Sequence, residues 1–528
     1  MTRRTAVTLV LTAALLALAT CGPRRSGPAG SVAGVSPPAH SWVAREESRP
    51  GTSAWKLTTP ATHHQIKGYA DRVSVSPGQS VRLYVSTTAP RFRATAFRMG
   101  WYAGKGARQV WSSPVTTGHH QPHAVMLPAT RTVTTRWRPS LTVPTAGWSP
   151  GDYLFRLDTV GPSGRAAAGT SGGTVYQSYV PLTVRSSSAR GRLVVMNAVT
   201  TWQAYNDYGG YNLYTGPGNS ASTRSYAVTF DRPYATGNGA GQFLVDELPA
   251  IRLAERLGLN LAYLTGIDVA EHPATLAGAR GIISLGHDEY WSLSMRRAVT
   301  AARDSGSNVA FLGANAVFRH IRLAATGLGR DRLEIDYKDP YADPLLHSDP
   351  ADVTSDWREP PDPRPESQLT GALYECNPVL APMVFVSTPS WLFAGSGLHH
   401  GSALPDLVGS EYDRARPGAP TPTPLQVLGH SPVTCRGVHS YADFVYYSGP
   451  GGAGVVDTGT NDWMQALAGR AGTGPQAVRT RQAVTAVTTN LLRAFAAGPA
   501  GAVQPATNNL SSFETYPGDP IAARHDLW

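Results

Sequence analysis

The side chains in this chain that could do chemistry together follow stretches of apolar sequence. Three apolar runs, at residues 192–196, 281–286 and 308–313, are each followed by phenol, imidazole, carboxylate or amide groups. The groups belong to Tyr205, Tyr208, Tyr211, Tyr214, His287, Glu289 and Asn315. Such side chains bind polar ligands and move protons, so three clusters indicate one polar site. A tyrosine loop packed by its own rings, with Glu289 capping the next helix, is the alternative.

Alternating strands and helices must position these side chains. Apolar runs typical of strands buried on both faces occur at residues 192–196, 259–264, 281–286 and 308–313. Helical periodicity predicts helices over residues 243–257 and 292–305, the second capped by Ser292. This alternation predicts a parallel sheet covered on both faces. Because ligands bind beyond the carboxyl ends of parallel strands, the polar clusters should meet at one edge.

Nucleophilic catalysis by cysteine or serine has no support in this region. No cysteine lies between residues 22 and 375, whereas glutamine amidotransferases, which have a similar fold, place a cysteine nucleophile after a strand. No Gly-x-Ser-x-Gly motif follows a predicted strand, which argues against a Ser-His-Asp hydrolase. The pattern therefore favours chemistry without either nucleophile.

Several segments resemble a known family. The segments TWQAYNDYGGYNLY, TFDRPY, GHDEYW and GANAVFRH are similar to the C-terminal region of the N,N-dimethylformamidase large-subunit family. The resemblance covers most of residues 190–500. The preceding segments GYADRVSVSPGQSVRLYVS and MGWY resemble the region that accompanies it in secreted relatives. The motifs indicate membership more specifically than they indicate activity.

The resemblance implies a mononuclear iron amidohydrolase whose Fe3+ is held by two tyrosinates and one glutamate. Carried onto this chain, Glu289 is the carboxylate ligand, and Tyr205 and Tyr214 are the tyrosinates. Because the loop is shorter here than in the enzyme, Tyr208 or Tyr211 could replace either tyrosine. Phenolate and carboxylate oxygens suit a hard trivalent cation, and its open positions would admit water and a carbonyl oxygen.

The same resemblance gives roles to the other polar side chains. His287 would lie beside the metal ligands and transfer a proton, and Asn315 would orient substrate or water. The substrate would be a small molecule with an amide or related C–N bond. The family enzyme also acts with a small partner subunit, of which this chain shows no trace.

The predicted fold is mixed. Alternating segments with turns predict an immunoglobulin-like antiparallel β-sandwich over residues 54–185. An α/β parallel-sheet domain of flavodoxin or glutamine-amidotransferase type follows over residues 190–500. It carries a loop-rich insertion at about residues 330–430, and residues 501–528 form a C-terminal tail.

The N-terminus predicts export. Residues 1–21 combine two early arginines, an apolar stretch and the sequence LATC, which resembles a bacterial lipobox and would place a lipid on Cys21. An ordinary cleaved signal peptide is the alternative. Residues 22–53 are rich in Gly, Pro, Ser and Arg and predict a flexible linker. The protein would then lie on the outer face of the cell membrane, held by a lipid anchor.

Two further cysteines, Cys376 and Cys435, remain after processing. In an exported chain an isolated pair favours a disulfide bond, while a metal site and a catalytic thiol are the alternatives.

Composition narrows the class of protein. The chain has 528 residues, 41% hydrophobic and 16% charged, which is typical of a globular protein with two or three domains. Its net charge of +10 comes from scattered arginines, so no nucleic-acid partner is expected. Two functions remain: an exported, metal-dependent hydrolase of small amides, and a non-catalytic cell-surface protein that binds glycan or peptide.

Overall fold

The N-terminal region forms a pair of β-sheets that pack face to face, because its apolar and polar residues alternate. The computed structural model describes residues 41–161 and 175–513, so the predicted signal peptide and Cys21 lie outside the described residues. The protein is a mixed α/β structure, about 25% helical and 35% strand. Val81, Leu83 and Phe155 are fully buried in the core between the two sheets.

The two sheets differ in size. The smaller, fully antiparallel sheet comprises Ile66–Ala70, Ser80–Thr87 and Leu141–Pro144. The larger sheet comprises Ser74–Val75, Arg91–Met99, Ala107–Ser112, Thr116–Thr117, Gly151–Val160 and Gln177–Val184. All its pairings are antiparallel except that of its first strand, Ser74–Val75, with Gln177–Val184.

The linker predicted over residues 22–53 ends earlier than expected. Trp42–Glu47 is a helix whose N-cap, Ser41, accepts a hydrogen bond from the backbone N–H of Ala44. The Ser41 hydroxyl also donates to the Gly258 carbonyl at 2.9 Å, and Val43 is fully buried. The composition of this segment predicted a linker and not a helix. A helix this short is stabilised by tertiary contacts, and its contacts lie about two hundred residues away in the chain.

The N-terminal sheets and the α/β region share one hydrophobic core. Met99 and Leu154 from the sheets belong to the same buried cluster as Ile251 and Tyr263 from the α/β region. The two regions predicted as separate domains therefore lie in one compact unit.

A seven-stranded mixed sheet forms the centre of the α/β region. Its strands are β1 Leu193–Asn197, β2 Leu261–Thr265, β3 Gly281–Leu285, β4 Asn308–Leu312, β5 Leu425–Cys435, β6 Val438–Ser448 and β7 Gly454–Asp457. They lie in the order β2-β1-β3-β4-β7-β6-β5, and the first five are parallel. The four strands predicted from apolar runs are confirmed with small shifts at their ends. The parallel-sheet prediction missed the antiparallel strands β5 and β6.

The region predicted as a loop-rich insertion contains long strands, so that prediction is partly wrong. Leu373–Val384 pairs with Ala403–Arg414 in a two-stranded antiparallel sheet. Pro378 and Pro382 interrupt the strand pattern in the sequence, but both are exposed. Proline is tolerated in such edge strands because an outward backbone position needs no N–H donor.

A disulfide bond joins this hairpin to the main sheet. Cys376 lies in the first strand of the hairpin and Cys435 ends β5, and their Cα atoms are 6.3 Å apart. Both cysteines are buried. While the bond is intact, neither sulfur is a free thiol or a metal ligand.

A smaller sheet borders the edge where β1 and β3 end. It contains Ala227–Thr229, Gly329–Ile335, Arg319–Thr326, Tyr290–Ser292 and Ser355–Asp356. Val125–Leu127 and Thr132–Thr134 form a separate hairpin. Since the segment after β3 enters the smaller sheet at once, Glu289 stands at the junction of the two sheets.

Helices cover the main sheet. They are Trp42–Glu47, Val199–Ala204, Leu248–Arg256, Gly266–Glu271, Leu293–Asp304, Ser367–Thr370, Ser390–Phe393, Asp462–Ala468, Gly474–Ala497 and Ala500–Val503. Ser292 caps the helix Leu293–Asp304 as predicted. The helix predicted over residues 243–257 begins instead with a π-helical turn, Phe243–Glu247. Within residues 41–161 and 175–513, no helix has the length and apolar composition needed to cross a bilayer.

Two carboxyl groups meet where the first helix contacts the α/β region. The Glu47 carboxyl accepts a hydrogen bond from the Trp101 N–H at 3.2 Å and lies beside Glu255. Burial and the Glu255 carboxyl raise the pKa of Glu47 from 4.5 to about 8. The folded protein therefore holds a proton that the unfolded chain releases between these two pH values.

We expect this carboxyl to make stability fall with rising pH. Its contribution is fully present below pH 4.5, the ordinary pKa, and is lost as the pH rises through about 8. The glutamine in Glu47→Gln cannot ionise, so the variant should lose less unfolding free energy than the native chain as the pH rises from 4.5 to about 8. Urea unfolding midpoints at a series of pH values for the native chain and the variant measure the difference. Parallel profiles for the two proteins would contradict the assignment.

Candidate active site

Two loops that follow neighbouring strands position the predicted site residues. The short helix Val199–Ala204 follows β1 and ends at Tyr205. Glu289 follows β3 after a few residues. The Thr201 hydroxyl accepts hydrogen bonds from the N–H groups of Glu289, at 3.0 Å, and Tyr290, at 3.2 Å. This hydroxyl therefore fixes the second loop against the first.

Three oxygen-bearing side chains converge between these loops. The Tyr205 hydroxyl donates to the Tyr214 hydroxyl and lies 2.8 Å from both that group and Glu289 Oε2. The Tyr214 hydroxyl lies 2.6 Å from Glu289 Oε1 and 2.8 Å from Oε2. The two rings are stacked with centroids 4.6 Å apart. The structure thus brings together the three residues that the family resemblance assigns as ligands.

Burial sets the protonation of this cluster. Burial and the Glu289 carboxylate raise the pKa values of Tyr205 and Tyr214 well above the ordinary value. Burial would also raise the pKa of Glu289, but the hydrogen bond from His287 and nearby positive charges outweigh it and bring the pKa to about 2. With no cation present, the cluster holds two neutral phenols around one carboxylate.

His287 bridges two carboxylates. Its Nε2 lies 3.3 Å from Glu289 Oε2 and 3.1 Å from Glu411 Oε2. Burial opposes the charged form of His287, but Glu411 and Glu289 together raise its pKa well above the ordinary value. Asn315 lies beside it, with its side-chain nitrogen 3.5 Å from His287 Nε2. The structure therefore also brings the predicted proton-transfer and orienting residues to the cluster.

Asn315 is held in an unusual backbone conformation. Its φ of 58° lies in the left-handed region, and its N–H donates to Asp413 Oδ1 at 2.8 Å. The side-chain oxygen of Asn315 is buried and has no hydrogen-bond partner among the described residues. A buried acceptor without a donor is costly, so this oxygen is available to a ligand.

Sequence reasoning missed Glu411. It lies in the second strand of the hairpin, and its carboxylate accepts hydrogen bonds from Asn377 at 2.9 Å and Asn461 at 3.2 Å. Asn461 lies in the polar segment that follows β7. Glu411 lies within a strand, and the residues around it form no recognisable motif. No pattern near Glu411 links it to His287, since more than a hundred residues separate them in the chain.

Two basic side chains border the tyrosines. The Lys338 amino group donates to the Tyr290 hydroxyl at 2.8 Å and stands 3.2 Å above the centre of the Tyr214 ring. Arg319 Nε lies 3.5 Å from Glu289 Oε1, and the same guanidinium pairs with Asp356. Sequence analysis assigned no role to either side chain; Arg319 begins one strand of the smaller sheet, and Lys338 follows another.

A cavity of about 850 Å³ reaches Tyr214, one member of the oxygen cluster. Its walls include Tyr214, Arg319 and Lys338, together with residues of the loop that follows the strand Gly329–Ile335. A cavity of this size holds a small organic molecule. The cavity therefore meets the cluster at Tyr214, while Glu289 itself is only 1% exposed.

The other tyrosines of the loop lie elsewhere. Tyr208 and Tyr211 line a second cavity of about 580 Å³ together with Lys67 and His123. The Lys67 ammonium stands 4.9 Å from the centre of the Tyr208 ring. Of the four tyrosines, the structure therefore places Tyr205 and Tyr214 at Glu289.

The oxygen cluster fits a hard cation. Two ligands at right angles and about 2 Å from a cation lie about 2.8 Å apart, close to the spacing of the two phenol oxygens and Glu289. Among the described residues, no group of three or more His, Cys, Asp or Glu side chains is placed to hold a metal. A metal at this site would therefore depend on Tyr205 and Tyr214.

Comparison with known proteins agrees with these motifs. A model of the family described as N,N-dimethylformamidase beta subunit-like, C-terminal, matches residues 93–477, well over half of the chain. No curated protein matches the chain. The match begins within the N-terminal sheets and contains every residue of the oxygen cluster. This chain is a member of the N,N-dimethylformamidase beta subunit-like, C-terminal family.

Proposed function

We propose that this protein hydrolyses a small amide or related C–N bond with the help of a bound Fe3+ ion. Membership of a dimethylformamidase-like family suggests amide hydrolysis. The observation that carries the proposal is the approach of the Tyr205 and Tyr214 hydroxyls to the Glu289 carboxylate, all within 2.8 Å. These three side chains would hold the cation.

The bound cation would polarise the substrate carbonyl and acidify water. His287 has a position suited to proton transfer, because its Nε2 faces Glu289 and Glu411 and the imidazole can hold a proton between them. Glu411 stabilises the protonated imidazole, and Asn377 and Asn461 hold Glu411 in place. The unpartnered amide oxygen of Asn315 can accept a hydrogen bond from the substrate or water.

Burial strengthens each of these interactions. Glu289, His287 and Asn315 are each at most 9% exposed, so little water screens their charges and dipoles. The large cavity beside Tyr214 and Lys338 gives a small substrate access from one side. We therefore propose a small-molecule substrate.

We further propose that the protein is exported and that its two regions have a flavodoxin-like and an immunoglobulin-like fold. Residues 1–21 would direct export, Cys21 would carry the lipid, and the protein would face the outside of the membrane. The order of the five parallel strands, counted along the chain as 2-1-3-4-5, supports a flavodoxin-like class for the α/β region. The two face-to-face sheets support an immunoglobulin-like class for residues 54–185.

Metal content and amide turnover test the proposal together. Protein purified without a metal-binding tag should contain iron, show a tyrosinate-to-metal absorption band, and release amine from at least one of a panel of small amides. Tyr205→Phe and Tyr214→Phe should each remove the band and the activity, because each deletes one ligand oxygen. Tyr208→Phe is the matched control and should retain both. Unchanged metal content in Tyr205→Phe and Tyr214→Phe would refute the ligand assignment.

A further inference from the structure

A further pocket, separate from both cavities described above, lies between the N-terminal sheets and the helices of the α/β region. Its volume is about 310 Å³, and it shares no lining residue with the cavity beside Tyr214. Its walls include the Trp101 ring, apolar side chains such as Leu248 and Leu467, and several basic side chains. Nothing in the proposed hydrolysis uses these residues.

The charge of this pocket is unusual. Five lining residues are cationic, and none is acidic. They are Lys56, Arg252, Arg256, Arg470 and Arg481. Within the stretch of chain that the structure describes, none of the five forms an ion pair with an Asp or Glu side chain. A group of cations without ion-pair partners around one cavity attracts negative charge.

The cations repel one another. Arg252 and Arg256 stand one turn apart on the same helix face, where like charges are unfavourable. Both guanidinium groups lie over the Trp101 ring, at 5.6 and 5.1 Å, which offsets only some of the repulsion. Burial and then the charge of Arg481 lower the pKa of Arg252.

Arg252 also carries an unused donor. Its Nε is buried without a hydrogen-bond partner among the described residues, while its terminal nitrogen makes one long contact of 3.4 Å with the Gly104 carbonyl. The acidic group that acts on Arg252 is Glu47, whose pKa of about 8 keeps it mostly protonated near neutral pH. Asp246 acts on Arg470 and offsets one charge of the five. A buried guanidinium N–H without an acceptor indicates a site for an anionic ligand.

We propose that this pocket binds a small polyanion that carries two or more phosphoryl groups. Four of the five cations are arginines, whose planar forks bind phosphoryl oxygens in pairs. The cavity volume suits a ligand of a few phosphoryl groups and is too small for a large molecule. Two arginines on one helix, Arg252 and Arg256, stand over the Trp101 ring at the wall of this pocket.

Calorimetric titration of the full chain with inorganic pyrophosphate, at constant ionic strength, tests this proposal. Saturable binding at one site per chain is expected. Arg252→Gln and Arg481→Gln should each weaken binding about tenfold or more, because each removes charged hydrogen bonds. Arg297→Gln changes an exposed arginine on the helix Leu293–Asp304, outside the pocket, and should bind like the unchanged chain.

The same titration can overturn the proposal. Equal weakening by Arg297→Gln would mean attraction to net charge and no site. Citrate bound as tightly as pyrophosphate would remove the preference for phosphoryl groups. No saturable binding by the unchanged chain would refute the site outright. Should Arg252→Gln fail to fold, the exposed Arg481 still supplies an independent variant. None of these outcomes depends on amide hydrolysis.

Discussion

Replacing Glu289 by Gln is expected to abolish both metal binding and amide hydrolysis while the protein stays folded. The carboxylate is the single charged member of the oxygen cluster, with both phenol hydroxyls within 2.8 Å. Glutamine keeps the size of the side chain but removes its charge and replaces one acceptor oxygen by a donor. We expect the rate to fall by at least about 10³-fold, comparable to the largest losses from removing one electrostatic contact at an active site.

Metal analysis and amine release measure this effect, and circular dichroism checks the fold. Glu271→Gln is the matched control, because Glu271 ends the helix Gly266–Glu271 and does not belong to the cluster. The control should retain metal and activity. A Glu289→Gln protein that still binds one iron per chain and hydrolyses amides would show that the cluster is not the metal site.

The second large effect concerns stability and involves Arg98. Its guanidinium lies 2.6 Å from Glu255 Oε1, and both side chains are fully buried. The Tyr263 hydroxyl donates to the same carboxylate oxygen at 2.6 Å. Arg98→Met would leave the Glu255 carboxyl group buried and without its cation. Breaking a buried ion pair in this way costs about 3–5 kcal/mol of unfolding free energy.

Two further variants separate this effect from a general loss of packing. Arg98→Met combined with Glu255→Leu removes both charges and should recover much of the loss, because a buried pair can be replaced by apolar side chains. Arg82→Met breaks the ion pair with Asp71, in which the arginine is 47% exposed, and should cost less than about 1 kcal/mol. Shifts in the urea midpoint measure all three. A loss in Arg98→Met no larger than that in Arg82→Met would contradict the prediction.

Local sequence determined the elements that place the first half of the site. The apolar runs that become β1, β3 and β4 are buried on both faces. A strand buried on both faces has a continuous apolar sequence, so it can be predicted without knowing its distant partners. Tyr205 lies eight residues after the end of β1, and Glu289 lies four residues after the end of β3. Because parallel strands end at the same edge of a sheet, their meeting follows from topology alone.

Tertiary structure alone decided which distant side chains surround the site and which charged side chains pair in the core. Glu411, which contacts His287, lies in a hairpin whose strands are hard to predict because prolines interrupt the strand pattern. Lys338, which contacts the Tyr214 ring, follows a strand of a different sheet. Arg98 and Glu255 are far apart in the chain and meet only when the N-terminal sheets pack on the α/β region. Periodicity records which face of an element is buried, but it carries no information about which distant side chain will face it. Sequence therefore determined the strand ends and their polar loops, while long-range packing selected the charges that surround them.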